Sequence, residues 1–344
     1  MFEIKEGPVS DKFLALGADV NAYTDGLKTT YIFKTTDSFE ECFRILLDFV
    51  NKPYFVPEEI DNEKKIIASE IRMYGDDPSW KSYFGALKKL YPKSPLSEEI
   101  AGSVKSIEKI TPDILQLYHK SFYVPQNMTI VCGGGVNADE VIKIAEEMAV
   151  YSDDTAKKLR CHTKAVGGVD KIKMDISVPV YCVVFPARAE GSRIKNGFIY
   201  RILGDMLFGE SSAAFKQMIK EGLTEEIPII QYSSDGVTGV LTVSGMSKDS
   251  ERIAEIIKTT LNNFLFRCEI DSKIFNVCIR RVIGEIIRSL DDIETAVNSQ
   301  IEWSSENLAV SDVISMVRNL TERELYWTAK EIGKTMGLAI VSKE

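Results

Sequence analysis

The sequence predicts an α+β fold in which one structural unit occurs twice. Short β-rich runs alternate with helical patterns along all 344 residues, which is enough chain for two domains. The second half also repeats the order of the first. Glu59–Asp61 and Glu269–Asp271 stand 210 residues apart, and Asp76–Asp77 and Asp291–Asp292 stand 215 apart. Two offsets that differ by only five residues indicate a duplicated unit.

Local signals place the first elements of this unit. Two β-rich runs within residues 19–34 flank Asp25–Gly26, and this pattern predicts a β-hairpin. Apolar residues with a period of 3.6 then predict a helix that Asp37 or Ser38 can cap. Pro53 stops this helix.

The next signals predict a long helix, a strand and a further helix. Pro57 suits the first turn of a helix that ends or kinks at Asp76–Pro78. Asn127–Cys132 reads as a buried strand, and a helix follows over residues 138–148. Gly133–Gly135 between them could cradle a phosphate, but its spacing matches neither of the common phosphate-binding motifs, so we favour a plain connection.

The two halves differ at their beginnings. A strand and a helix within residues 173–208 find no counterpart before Phe13. Residues 151–170 are polar and contain glycine, so we interpret them as the interdomain linker. The predicted domains are therefore residues 1–150 and residues 171–344.

Composition narrows the compartment and the partners. The chain has 42 basic and 51 acidic residues and a net charge of -9, which disfavours nucleic acid and anionic lipid as partners. Its apolar runs fall short of the roughly 20 residues that a membrane helix needs. The six cysteines lack Cys-x-x-Cys spacing and predict reduced, mostly buried thiols, so we expect a cytoplasmic protein. Adjacent Cys161 and His162 could share a metal, although no other ligands accompany them.

Glu63 and Glu70 form the most informative pair of side chains. Seven residues are close to two helical turns, so both carboxylates lie on one face of the predicted helix. A generic solvated helix face explains the same pair. The flanking sequence decides between these interpretations.

That flanking sequence resembles the insulinase and pitrilysin family of zinc metallopeptidases with an inverted motif, in its bacterial, processing-peptidase-like branch. The resemblance implies two related α+β domains, each an antiparallel sheet with helices packed on one face, and a first domain that is incomplete at its N-terminus. The matching pieces cover nearly the whole chain and are Met1–Glu3, Phe13–Thr24, Glu63 with Glu70, and Tyr118–Met128.

The resemblance also implies roles for individual residues. Glu70 would be the third zinc ligand, an orphan in this chain, and Glu63 would orient a ligand from the second shell of the site. Ala18–Thr24 would be the edge strand to which a substrate peptide adds, with Asn21 and Ala22 as the contact positions. In family members the His-x-x-Glu-His helix lies immediately before the Met-Phe-Glu segment.

This chain lacks the rest of the family's catalytic set. His119 and His162 are its only histidines, and neither belongs to a His-x-x-Glu-His motif. Met218 and Glu225 stand around Gly222–Leu223, where many members carry an arginine and a tyrosine. We therefore expect no catalytic residue in this chain and no tightly bound zinc, although zinc is the cofactor of full-length members.

The sequence thus predicts a zinc-metallopeptidase-family protein that is truncated or degenerate and does not hydrolyse peptides as this chain. The alternative is a noncatalytic peptide-binding or partner subunit of a heterodimeric zinc peptidase. A third reading is an assembly scaffold. Expected partners are short or unfolded peptides and a homologous subunit in a homo- or heterodimer, with neither nucleic acid nor membrane.

Overall fold

The computed structural model describes residues 3–4, 7–150, 163–267 and 269–343, and the chain divides into two compact units. The first unit comprises Met1–Ile71, Ile100–Leu159 and Asp292–Ile301. The second comprises Arg72–Glu99, Arg160–Asp291 and Glu302–Glu344. Each unit is thus built from three separate stretches of chain. The domains predicted from the sequence, by contrast, are each one continuous stretch, and they stay a prediction.

The first unit contains short strands and mainly helices. Its elements are β1 (Glu3–Ile4), β2 (Gly7–Pro8), α1 (Val9–Ala15), β3 (Asp19–Thr24), β4 (Thr29–Lys34), α2 (Phe39–Asn51), most of α3 (Pro57–Gly75), α5 (Val104–Ile107), α6 (Pro112–Phe122) and α7 (Ala138–Met148). The predicted hairpin is confirmed as β3 and β4. Asp25 shapes its turn, because its Oδ1 accepts hydrogen bonds from the backbone N–H of Leu27 at 2.7 Å and of Lys28 at 2.9 Å.

The second unit is built on a five-stranded sheet. Its elements are α4 (Pro78–Leu90), β5 (Gly168–Met174), β6 (Val180–Ala187), α8 (Arg193–Phe208), α9 (Ala213–Lys220), β7 (Ile229–Ser234), β8 (Gly239–Met246), α10 (Ser250–Arg267), α11 (Ser272–Ser289), the end of α12 (Ile293–Ser304), α13 (Val310–Arg318), α14 (Glu322–Lys330) and β9 (Gly337–Lys343). The strand order is β5-β9-β6-β8-β7. All pairs are antiparallel except β5 with β9.

Strand β6 is apolar on both sides because helices cover both faces of this sheet. Tyr181 and Val183 belong to the main core with α8, α10 and α11. Cys182 and Val184 pack instead with residues of α4, including Leu87. A strand buried on both faces needs a continuous apolar run rather than an alternating one.

The predicted duplication is confirmed in the order of the elements. The series β3, β4, α2 and α3 of the first half has its counterpart in β7, β8, α10 and α11 of the second. Helices α4 and α12 continue the two series. In the described part of the first half, β6 and α8 have no counterpart, as the sequence predicts. The α+β fold class is therefore confirmed.

One predicted strand is wrong. Residues 128–133 form no strand, and the chain before them is a 3-10 turn over Pro125–Asn127. The counterpart of this segment, 210 residues further on, is β9, which pairs with β5 and β6. The described residues of the first unit supply no strand in either of those positions. A sequence with strand propensity forms no strand without a partner to hydrogen-bond with.

The four described thiols agree with the prediction of reduced, mostly buried cysteines. Cys42, Cys182 and Cys278 are free and buried, whereas Cys132 is free and exposed because its segment joins no sheet. Cys161, His162 and Cys268 lie outside the described residues. Within the described ranges, no helix has the length and apolarity needed to span a bilayer.

Candidate functional site

Helix α3 carries the predicted carboxylates. It begins at Pro57 as predicted and extends to Gly75, so Glu63 and Glu70 lie two turns apart on one continuous helix. Glu70 is exposed, and Glu63 is half-buried. The carboxylate of Glu70 is therefore open to whatever approaches this face.

The described residues do not form a zinc site around Glu70. No three His, Cys, Asp or Glu side chains in the described ranges lie together as a metal ion would require. His119 is engaged elsewhere: its Nε2 lies 2.8 Å from the carbonyl oxygen of Val50, and its ring stacks on Tyr123 with centroids 4.6 Å apart. A single carboxylate does not fit zinc, which takes three or four protein ligands. The assignment of Glu70 as a ligand stays a prediction.

The second unit contains a counterpart of Glu70, and this counterpart belongs to a cluster of charged side chains. Glu285 precedes Asp291 by six residues, as Glu70 precedes Asp76, so Glu285 is the counterpart of Glu70. Arg201 of α8 donates a hydrogen bond to Glu285. Arg281 lies 3.4 Å from Glu285 and 2.7 Å from Asp205 of α8. Sequence reasoning missed this cluster, although the 215-residue offset pointed to Glu285.

Asp205 is the least solvated member of this cluster. Its side chain is only 11% exposed, and its Oδ2 has no hydrogen-bond partner among the described residues. Burial raises the pKa of this carboxyl, and the nearby Arg281 and Arg201 only partly offset that effect. The cluster borders a cavity of about 400 Å³ next to β7.

The predicted peptide edge on β3 has a definite orientation. Asp25 donates its backbone N–H to the carbonyl of Lys28 across the hairpin. In an antiparallel pair, residues whose backbone groups bond to the partner strand alternate with residues whose backbone groups point away from it. The backbone groups of Tyr23 and Asn21 therefore also point toward β4, and those of Ala22 point toward the open side of β3. In agreement, the N–H of Ala22 bonds to the side-chain Oδ1 of Asn21 at 2.8 Å.

Helix α12 contacts both strands of this hairpin, which sequence reasoning did not predict. Tyr23 on β3 donates its hydroxyl to Asn298 at 2.9 Å. Lys34 on β4 lies 3.3 Å from Glu294. These contacts link chain segments some 260 or more residues apart, so no local pattern could have shown them.

Family models match both parts of the chain. A model described as "Insulinase (Peptidase family M16)" matches residues 7–102, and one described as "Peptidase M16 inactive domain" matches residues 109–275. The chain belongs to the insulinase family. The family expectation drawn from the sequence is thereby confirmed.

Individual relatives agree with this assignment. An uncharacterized zinc protease of Bacillus subtilis, YmfH, is 28% identical over 93% of this chain and 77% of its own length. The crystal structure of an M16-like peptidase from Alicyclobacillus acidocaldarius has a TM-score of 0.92 at 28% identity, covering 100% of this chain and 84% of that one. The β subunit of the mitochondrial-processing peptidase of Caenorhabditis elegans is 29% identical over 38% of this chain and 29% of its own length.

Within this insulinase-family chain, the positions around Gly222–Leu223 carry no substrate-gripping pair. Met218 is completely buried in the core of the second unit, and Glu225 is an exposed acid. Neither side chain can donate a hydrogen bond to a peptide carbonyl.

Proposed function

We propose that this chain is an insulinase-family protein that binds extended peptides along β3 and does not hydrolyse them with its own residues. The observation that carries the proposal is the outward backbone of Ala22. An edge strand with outward N–H and C=O groups accepts a peptide as an additional strand, and the main-chain hydrogen bonds supply affinity without demanding a particular sequence. Short or unfolded peptides are therefore the proposed ligands.

The absence of hydrolysis follows from the side chains of the chain itself. We propose Glu70 as the carboxylate ligand of a metal site and Glu63 as a carboxylate that orients a ligand. The two imidazoles and the general base of the family's motif do not occur anywhere in the 344 residues. The zinc named for its relatives then depends on ligands that this chain does not provide.

A noncatalytic subunit is the second candidate function. The match to a relative named as a subunit of a processing peptidase favours it, as does a peptide edge without a complete site. We propose a homo- or heterodimer with a homologous subunit, located in the cytoplasm in keeping with the free thiols.

Three measurements test the proposed peptide binding, the absence of hydrolysis and the dimer. Fluorescence anisotropy with a labelled, unstructured peptide should show saturable binding, and a quenched fluorescent peptide should show no zinc-dependent cleavage. Cleavage that phenanthroline stops would overturn the noncatalytic assignment. An absence of peptide binding would overturn the role of β3.

Light scattering at tens of micromolar tests the dimer, and a strict monomer would count against it.

A further inference from the structure

Strand β3, which carries the proposed peptide edge, is held on its two faces by different parts of the first unit. Side chains alternate between the faces of a strand, and residues paired across an antiparallel hairpin share a face. Val20 and its partner Phe33 pack against the core around Phe13. Tyr23 and Lys34 belong to the opposite face, where they contact α12. Helix α12 therefore supports the face that the core does not.

The two contacts with α12 differ in strength. Lys34 and Glu294 form an ion pair between side chains that are 65% and 54% exposed, and exposed pairs of this kind contribute little. The hydroxyl of Tyr23 donates to Oδ1 of Asn298, which is half-buried, at 2.9 Å. Tyr23 directly follows Ala22, whose backbone groups point toward the open side of β3. The hydrogen bond to Asn298 therefore fixes β3 next to the position where a peptide would bind.

The same pair of positions is linked in the second unit. The helix offset of 215 residues makes Tyr83 of α4 the counterpart of Asn298. The strand offset of 210 residues makes Ser233 of β7 the counterpart of Tyr23. The side chains of Tyr83 and Ser233 form a hydrogen bond. The residue types differ between the units, but a hydrogen bond from the helix to the outer strand is present in both.

We propose that Asn298 is a positioning residue of the peptide site and that it acts through Tyr23. This inference rests on the proposed function of β3. A peptide adds to an edge strand whose backbone groups are already in line, and order that exists in the free chain does not have to be created on binding. Asn298 supplies this order from α12. The counterpart bond between Tyr83 and Ser233 holds β7 and does not act on the peptide site.

Peptide binding by matched variants of the full chain tests the proposal. Asn298→Ala removes the acceptor of the hydrogen bond and Tyr23→Phe removes its donor. Each should weaken binding of the labelled, unstructured peptide about three- to tenfold in anisotropy titrations. The double variant should lose no more than either single variant, because both remove the same interaction. Asn298→Asp keeps an acceptor at this position and should restore binding.

Tyr83→Phe is the matched control, since it removes one hydroxyl and breaks the counterpart bond in the second unit. It should leave peptide binding unchanged. Undiminished binding by Asn298→Ala would overturn the proposal. An equal loss with Tyr23→Phe and Tyr83→Phe would also overturn it, because a general loss of stability gives that result.

Hydrogen–deuterium exchange of the free chain separates this inference from the proposed function. Asn298→Ala should speed exchange in residues 19–34 and leave exchange in β7 and β8 unchanged. If the unsubstituted chain binds no peptide, the proposed function fails, and the exchange result still decides whether Asn298 holds β3. Unchanged exchange in residues 19–34 would overturn that role.

Discussion

The side-chain oxygen of Asn21 accepts a hydrogen bond from the backbone N–H of its neighbour Ala22, at 2.8 Å on the open side of β3. The one edge amide at the centre of the predicted peptide site is thus already satisfied in the free chain. A peptide that adds to this strand must displace the Asn21 side chain and replace its hydrogen bond. Strand addition here is an exchange of one partner for another, which keeps affinity moderate.

Ala22→Pro should abolish peptide binding without unfolding the chain. Proline removes the outward N–H but no hydrogen bond to β4, and edge strands tolerate proline in that orientation. Asn21→Pro is the matched control: it removes an amide that faces β4 and should cost at least about 1 kcal/mol more than Asn21→Ala. Anisotropy and thermal unfolding measure the two effects. Undiminished peptide binding by folded Ala22→Pro would show that β3 is not the edge.

Zinc should bind this chain weakly. With Glu70 as the only proposed ligand, we expect affinity no better than roughly millimolar at this site, and no change of melting temperature on adding a chelator. Isothermal calorimetry on the chain and on Glu70→Ala measures this, with Glu63→Ala as control. A stoichiometric, submicromolar site that Glu70→Ala removes would contradict the prediction.

Supplying the missing motif should create a peptidase. A family-like segment with His-x-x-Glu-His, joined ahead of Met1, would bring two imidazoles and a base to the Glu70 face. Cleavage of a quenched fluorescent peptide should then appear and should vanish with Glu70→Gln. Glu63→Gln should only weaken cleavage, by about 10- to 100-fold, because Glu63 would orient a metal ligand and would not bind the metal itself. Equal loss with both variants would argue against these separate roles.

Locally encoded features of this fold could be predicted, and features that depend on distant partners could not. Asp25–Gly26 and Pro57 act on their own neighbours, so the hairpin and the start of α3 follow from sequence. The strand predicted at residues 127–132 fails because its formation requires another strand. The outward direction of the Ala22 backbone depends on the register of β3 with β4, and the hydrogen bond from Arg201 to Glu285 depends on how α8 packs against α11. Neither can be known without the structure.

The buried cluster of the second unit should give Asp205→Asn a pH-dependent effect on stability. Burial raises the pKa of Asp205 above its value in the unfolded chain. The contribution of Asp205 to the free energy of unfolding is therefore favourable at low pH and is lost as pH rises through the raised pKa. The neutral amide keeps the shape and avoids that loss. The melting temperature of Asp205→Asn relative to the unsubstituted chain should therefore rise from about pH 4 to pH 7. Glu251→Gln, at an exposed ion pair with Lys171, controls for general loss of charge. A relative melting temperature of Asp205→Asn that falls over this range would show that the ion pair with Arg281 outweighs burial.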